Sequence, residues 1–279
     1  MQAYRWHRYF SRLWMGAVFL FFYLPLLFLV VFSFNSTRQD SVFTGFSLRW
    51  YQALLKDTRL VEGFSLSLQV ALMSATLGTV LATMAAFALV RFGKFRGRTL
   101  FNAMLASPLV MPEVIIGMSL LLLFVGMERV LGWPERGTLT IVLGHALMGM
   151  AYASVVIQSR LKEMDRSIEE AALDLGCRPF QVFFLVMLPN MSQALVAAWL
   201  LTFTLSFDDV VVSEFLAGPG VTTLPQVIFN YARRGVNPSI YAAASLLMLV
   251  VTLAVIIYGI QIARQARQSQ SRPRGSSNR

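Results

Sequence analysis

Arg160-Leu-Lys-Glu-Met-Asp-Arg-Ser-Ile-Glu-Glu-Ala-Ala-Leu-Asp-Leu-Gly-Cys-Arg-Pro179, followed by Phe180–Pro189, separates two apolar runs of this sequence. Its punctuation is helical. Ser167 and Glu170 have the spacing of a capping box, in which each side chain satisfies a backbone N–H at a helix start. Ala171, Ala172 and Leu175 supply a small apolar face. Gly176 suits the left-handed residue that closes a helix, and Pro179 suits the first turn of the next one. The stretch therefore predicts two short helices meeting at a sharp bend. Residues alone leave two readings: an element that projects to dock in a partner's groove, or an amphipathic helix lying at an interface with no partner.

The surroundings of this stretch are membrane-like. The chain has 279 residues, 56% of them apolar and 14% charged, against about 45–50% and about 25% in ordinary globular chains. Mean hydropathy is +0.62. A spanning helix needs roughly 20 mostly apolar residues, and six runs qualify: 13–34, 64–90, 100–125, 139–158, 190–207 and 239–263. The first has too long an apolar core for a signal peptide and no small-residue cleavage site, so it reads as an uncleaved anchor. The N-tail 1–12, the 2–3 loop, the 4–5 loop 159–189 and the C-tail 264–279 carry sixteen of the 24 Lys and Arg residues. The positive-inside rule puts these segments, and so both termini, in the cytoplasm. The Arg/Ser/Gln-rich C-tail is expected to be disordered. The expected fold is thus an all-α membrane protein with six transmembrane helices in one domain, 13–263.

The stretch also carries a resemblance. Glu170-Ala171-Ala172, three residues, Gly176, nine residues, Val186, one residue, then Leu188-Pro189 resembles the signature of ABC importer permeases. Arg91-Phe-Gly-Lys-Phe-Arg-Gly, Ser107-Pro-Leu-Val-Met-Pro-Glu-Val, Ser206-Phe-Asp-Asp-Val-Val-Val and Gly218-Pro-Gly-Val-Thr-Thr-Leu-Pro resemble the polyamine (spermidine/putrescine) class of that family. Only the tails fall outside the similarity. It implies the type I ABC importer permease fold. Ser167, Glu169, Glu170, Ala171, Ala172, Asp174, Gly176 and Pro179 then form a coupling helix seated in a partner ATPase. It further implies a heterodimer with a homologous permease, two copies of the ATPase, which hold the ATP and Mg, and a periplasmic polyamine-binding protein. The location is the bacterial inner membrane. The implied cargo is a polyamine, putrescine first. The same architecture also serves spermidine, thiamine, iron or another cation.

Candidate cargo contacts come from carboxylates in apolar surroundings. Glu113 lies in the third run, which holds no basic partner, and an intramembrane charge is a functional hypothesis by default. Pro108 and Pro112 each remove a backbone donor, and broken helix is tolerated where it lines a cavity. Glu113 either faces a cation path or is a neutral acid bonded to the freed carbonyls. Asp208, Asp209 and Glu214 lie near the outer end of the fifth run. They either attract ammonium groups, with Trp50, Tyr152, Trp199 or Phe207 adding cation–π attraction, or form a solvated helix end, or pair with Arg233 or Arg234. His145, alone in the fourth run, reads as a satisfied packing histidine ahead of a proton relay. Gly78 and Ala82 have the small-xxx-small spacing of close helix contact.

Other functions are excluded by what is missing. Gly93-Lys94 is followed by Phe95, so no phosphate-binding loop is present and the chain itself is expected to bind no cofactor. One cysteine and two histidines supply neither a disulfide framework nor a metal centre. No nucleophile–base set stands out. The basic residues flank spans and do not form a stripe with aromatics, which argues against nucleic acid. Among other classes, an ion-gradient-driven secondary transporter is kept open by Glu113, and a membrane enzyme is disfavoured by the missing catalytic cluster.

Overall fold

In the computed structural model, residues 2–37, 42–233 and 239–246 are described, with positions 248, 249, 252, 253 and 256 beyond them; before Phe10 only the backbone is described. About half of the sixth run, including all of 257–263, and the whole C-tail 264–279 lie outside the described residues. The chain divides into two compact units, Arg59–Asn230 and the segments Met1–Thr58 with Tyr231–Arg279.

The terminal unit begins with α1 (Gln2–Phe32), which carries Pro25 inside it. From Phe10 to Phe32 it is apolar, and most of its side chains are exposed, as expected of a helix whose solvent is lipid. Beyond it Asn35 organises a loop. Its side chain accepts from Thr44 N (3.0 Å) and donates to Val42 O (2.9 Å). Its carbonyl accepts from the Trp50 indole N–H at 2.7 Å, at the start of α2 (Arg49–Lys56).

The central unit is built around α3 (Thr58–Arg91) and α6 (Thr138–Glu163). At 1.5 Å per residue α3 is about 51 Å long, well beyond the apolar thickness of a bilayer. Small residues let it approach α6. A Cβ added at Gly78 would sit 3.1 Å from Ala146 O, Ala82 is fully buried, and Ser74 Oγ donates to Val142 O at 3.2 Å. The close-contact spacing read at Gly78 and Ala82 thus corresponds to a real α3–α6 seam.

The third run differs from expectation. It forms α4 (Arg98–Val110) and α5 (Glu113–Leu131), with Met111 extended between them. Pro112 has no N–H and forces its predecessor out of helical geometry. Pro108, by contrast, is accommodated inside α4. The helix long and apolar enough to span is α5, six residues further on than the predicted end at Val125. The fourth helix also continues past the expected span, reaching Glu163, with Met164 extended after it.

The remaining elements are α7 (Arg166–Asp174), α8 (Pro179–Gln181), a π-helical stretch (Val182–Met187), α9 (Leu188–Asn190), α10 (Ser192–Phe207), α11 (Val211–Leu216) and α12 (Leu224–Arg233). Pro179–Asn190 meets α10 at 72°. Among the described residues, four helices are long and apolar enough to cross a membrane, and a fifth if that bent pair counts as one.

Candidate functional site

Two places in the central unit hold most of the residues singled out from the sequence. The first is the bend quoted at the outset. Here the expected Ser167–Glu170 capping box is replaced. The N-cap is Asp165, held extended, and its carboxylate accepts from Ser167 N at 3.0 Å. Ser167 becomes a donor in the first turn. The reason is chemical: an ionised carboxylate is a stronger acceptor than a hydroxyl for a helix-start N–H. The same bond holds the Asp165 carboxyl below its ordinary pKa. The other end follows the expected plan. Gly176 takes φ +87°, Gly176 N donates to Leu173 O (2.9 Å) and Cys177 N to Ala172 O (3.1 Å). That is a Schellman closure. Pro179 stands at the first position of α8, where Arg178 N donates to the Gln181 side chain at 2.8 Å.

The apolar face predicted for α7 is split. Ala172 is buried against Met164, Met187 and Met191, which join α7 to α6 and α10. Leu175 lies past the helix end and is 86% exposed. Ile168, Leu173 and Phe180 are exposed with it, beside exposed Glu170, Ala171 and Asp174. Glu169 turns the other way, to an ion pair with Arg91 Nη2 at the end of α3 (2.7 Å). Arg91 had been legible only as a topology charge.

The second place lies where α5, α6, α10 and α11 meet. On α6, His145, Gly149 and Tyr152 recur at helical spacing on one face. Gly149 lets α10 approach: a Cβ there would fall 2.1 Å from Thr202 Cγ2. α10 stops at Asp208. Asp209 then takes over the acceptor role for the next helix, receiving Val212 N (3.3 Å) and Ser213 N (2.8 Å). Its Oδ2 also meets His145 Nε2 at 3.1 Å, while His145 Nδ1 meets Ser206 Oγ at 2.7 Å and Nε2 lies 3.2 Å from Ser213 Oγ. His145 is therefore a satisfied buried histidine, as read, but its partner is a carboxylate 64 positions away. Ser206 and Ser213, which were not singled out, complete the network.

Glu113 begins α5 and lines a cavity of about 30 Å³ with Tyr152, His145, Ser206 and Asp209. Two of the expected carboxylates and one expected aromatic thus share one small space. Water needs about 10–15 Å³ by this measure, so the space admits a water or two. The other candidates lie elsewhere. Asp208 is exposed at the end of α10. Glu214 accepts from Gln226 Nε2 at 3.0 Å. Trp50 belongs to the terminal unit, is buried, and already carries Arg49 over its ring at 4.2 Å. Trp199 donates to Thr76 Oγ1 and stacks on Phe203. Among the described residues no group of His, Cys, Asp and Glu could hold a metal ion.

Several long apolar helices, with a helical bend closed by a Schellman turn and a carboxylate-lined gap among them, are the architecture of a multi-pass membrane protein. The chain belongs to the binding-protein-dependent transport system inner membrane component family, whose profile matches residues 78–267. It is 50% identical over 251 residues to the putrescine transport system permease protein PotI of Escherichia coli K12, covering 90% of this chain and 89% of that one. It is 36% identical over 250 residues to the spermidine/putrescine transport system permease protein PotC of the same strain, covering 90% and 92%. Its fold is that of ABC transporter permeases. A chain of a bacterial alginate ABC transporter superposes with a TM-score of 0.72 at 15% identity, covering 94% of this chain and 97% of that one. A chain of the MetNI methionine ABC transporter gives 0.59 at 18%, covering 74% and 95%.

Proposed function

We propose that this chain is the permease subunit of an ATP-driven importer that moves putrescine across the inner membrane. The observation that carries the cargo is the 50% identity to a putrescine permease, against 36% to a spermidine/putrescine one over the same share of the chain. A homologous permease completes the path, two ATPase copies bind the cytoplasmic side with ATP and Mg, and a periplasmic polyamine-binding protein delivers the cargo. Both termini are cytoplasmic, and no cofactor is held by this chain.

The geometry gives these roles a mechanism. α7 presents Ile168, Leu173, Glu170 and Asp174 outward for the ATPase, while Ala172 is packed into the cluster that joins α6 to α10. Those same two helices hold His145, Tyr152 and Ser206 at the cavity. Displacing α7 therefore acts on the pair of helices that bounds the cation site. Glu113 supplies a carboxylate at a proline-made break, and Asp209, held by two backbone N–H groups and His145, supplies a second. A diamine carries two ammonium groups for which two such acceptors are complementary. Asp208 adds negative charge at the exposed approach.

The test is labelled-putrescine uptake in cells lacking this gene and any second putrescine system, with spermidine and thiamine alongside. Putrescine uptake should be lost selectively, return with the wild-type gene, and stay low with Glu113→Gln at equal membrane abundance. Unchanged putrescine uptake in the deletion withdraws the cargo; full rescue by Glu113→Gln removes that residue from the path.

A further inference from the structure

A second, larger cavity of about 620 Å³ opens where the ends of α3 and α6 meet the starts of α4 and α7. Arg91, Arg98, Lys162 and Arg166 line it, with Asn102 and Gln158 among the neutral groups. Among the described residues no carboxylate lines it. Part of this charge has an internal use. Arg98 Nη2 donates to Leu89 O at 2.8 Å and Arg166 Nη2 to Val90 O at 3.2 Å, capping carbonyls at the negative end of α3. Arg91 is committed to Glu169 and lies 3.4 Å from Met164 O. Each guanidinium has five N–H donors, however, and each of these two caps uses one of them. Lys162 is exposed and makes no hydrogen bond or ion pair among the described residues. Four cations facing one space, with one carboxylate between them, leave a surplus that carbonyl capping does not explain.

We propose that this cavity binds the phosphate of an acidic phospholipid headgroup. The charge calls for an anion, and its fork-shaped donors suit phosphate oxygens. The setting selects the lipid. The cavity lies at the ends of apolar helices, on the side that the Lys/Arg asymmetry assigns to the cytoplasm, and Leu89, Val90 and Met164 give it an apolar edge. Basic pockets between helix ends on that side are where anionic headgroups gather. Arg91 and Arg166 also tether α7, through Glu169 and Val90 O. A bound headgroup therefore ties the ends of α4 and α6 to the helix offered to the ATPase, and makes the energy-coupling element sensitive to the anionic lipid content of the membrane.

The test measures binding of spin-labelled phosphatidylglycerol and phosphatidylcholine to the purified full-length chain. Wild type should prefer phosphatidylglycerol. Lys162→Gln removes only an unbonded charge and should weaken that binding about 5-fold; Arg98→Gln with Lys162→Gln should weaken it roughly 30-fold. Arg96→Gln changes the same charge in the neighbouring loop, outside the cavity, and should stay within about twofold. Inorganic phosphate in large excess should leave the lipid in place. An equal loss in Arg96→Gln, or none in Lys162→Gln, overturns the site. Displacement by inorganic phosphate overturns the lipid and leaves a soluble anion as ligand. The binding readout is independent of which cargo the transporter carries.

Discussion

Glu169→Gln tests whether α7 is held to the membrane helices by charge. Glu169 and Arg91 lie 2.7 Å apart with side chains only 17% and 8% exposed. At that separation the attraction is about 6 kcal/mol for an effective dielectric near 20, before desolvation is subtracted. Removing one member of a buried pair costs about 3–5 kcal/mol because it strands the other charge. Gln keeps an acceptor oxygen for the guanidinium, so the loss should be smaller, about 2–3 kcal/mol. Arg91 is poorly placed to compensate, since its Nε is buried without an acceptor. The energy appears locally, as easier opening of α7. Hydrogen exchange of the 166–178 segment in the assembled transporter should accelerate roughly 30- to 150-fold, while α3 and α6 mid-helix amides stay protected. ATP hydrolysis should lose its dependence on the binding protein. Arg91→Gln with Glu169→Gln removes both charges and should exchange more slowly than Arg91 left alone. Exchange of 166–178 within twofold of wild type in Glu169→Gln would refute the reasoning, and the pair would be a surface contact of no mechanical consequence.

Two further outcomes follow from the packing and the cap. Gly149→Ala should destabilise the α6–α10 contact by about 1–3 kcal/mol, because the new methyl collides with Thr202 Cγ2 in a buried seam. Adding Thr202→Ser removes that methyl and keeps the hydroxyl that donates to Ala198 O (3.0 Å), so thermal unfolding of the double variant should return towards wild type; no recovery would place the strain elsewhere. At the bend, the Asp165 carboxyl has a lowered pKa in the folded chain. Its cap is therefore complete above the ordinary aspartate pKa and is lost as pH falls through the depressed one. The Ser167 amide should lose protection only on acidification through that range, and Asp165→Asn should make its protection insensitive to pH there.

Much of this protein is legible from local sequence because the deciding interactions are local. Twenty-residue apolar runs announce membrane helices regardless of partners, since a bilayer imposes length and composition on any segment that crosses it. Gly176 and Pro179 reveal the bend for the same reason: left-handed backbone and a missing N–H are properties of single residues. The break before Glu113 was readable from Pro112. Even so, the choice of cap escaped a local reading. Ser167 and Asp165 are both good N-cap residues two positions apart, and which of them caps depends on where α6 ends, which packing of Leu161 and Met164 decides.

Tertiary structure alone decided which distant residues meet. Nothing in the neighbourhood of His145 points to Asp209, nor does the charge of Arg91 distinguish a topology signal from an anchor for Glu169. Contacts across 64 and 78 positions depend on helix crossing, and crossing depends on small residues such as Gly78 and Gly149 whose effect is felt only when a second helix is present. Trp50 shows the same dependence on packing: an aromatic ring is a cation site only where the fold leaves its face open, and here Arg49 already covers it. Sequence by itself determined that this chain is a helical membrane protein with a sharp bend between two of its apolar runs, because lipid and backbone act on each segment separately. The carboxylate-lined cavity, the α7 anchor and the basic cavity exist only after α3, α4, α5, α6 and α10 have packed, because each is made of side chains that no single helix carries together.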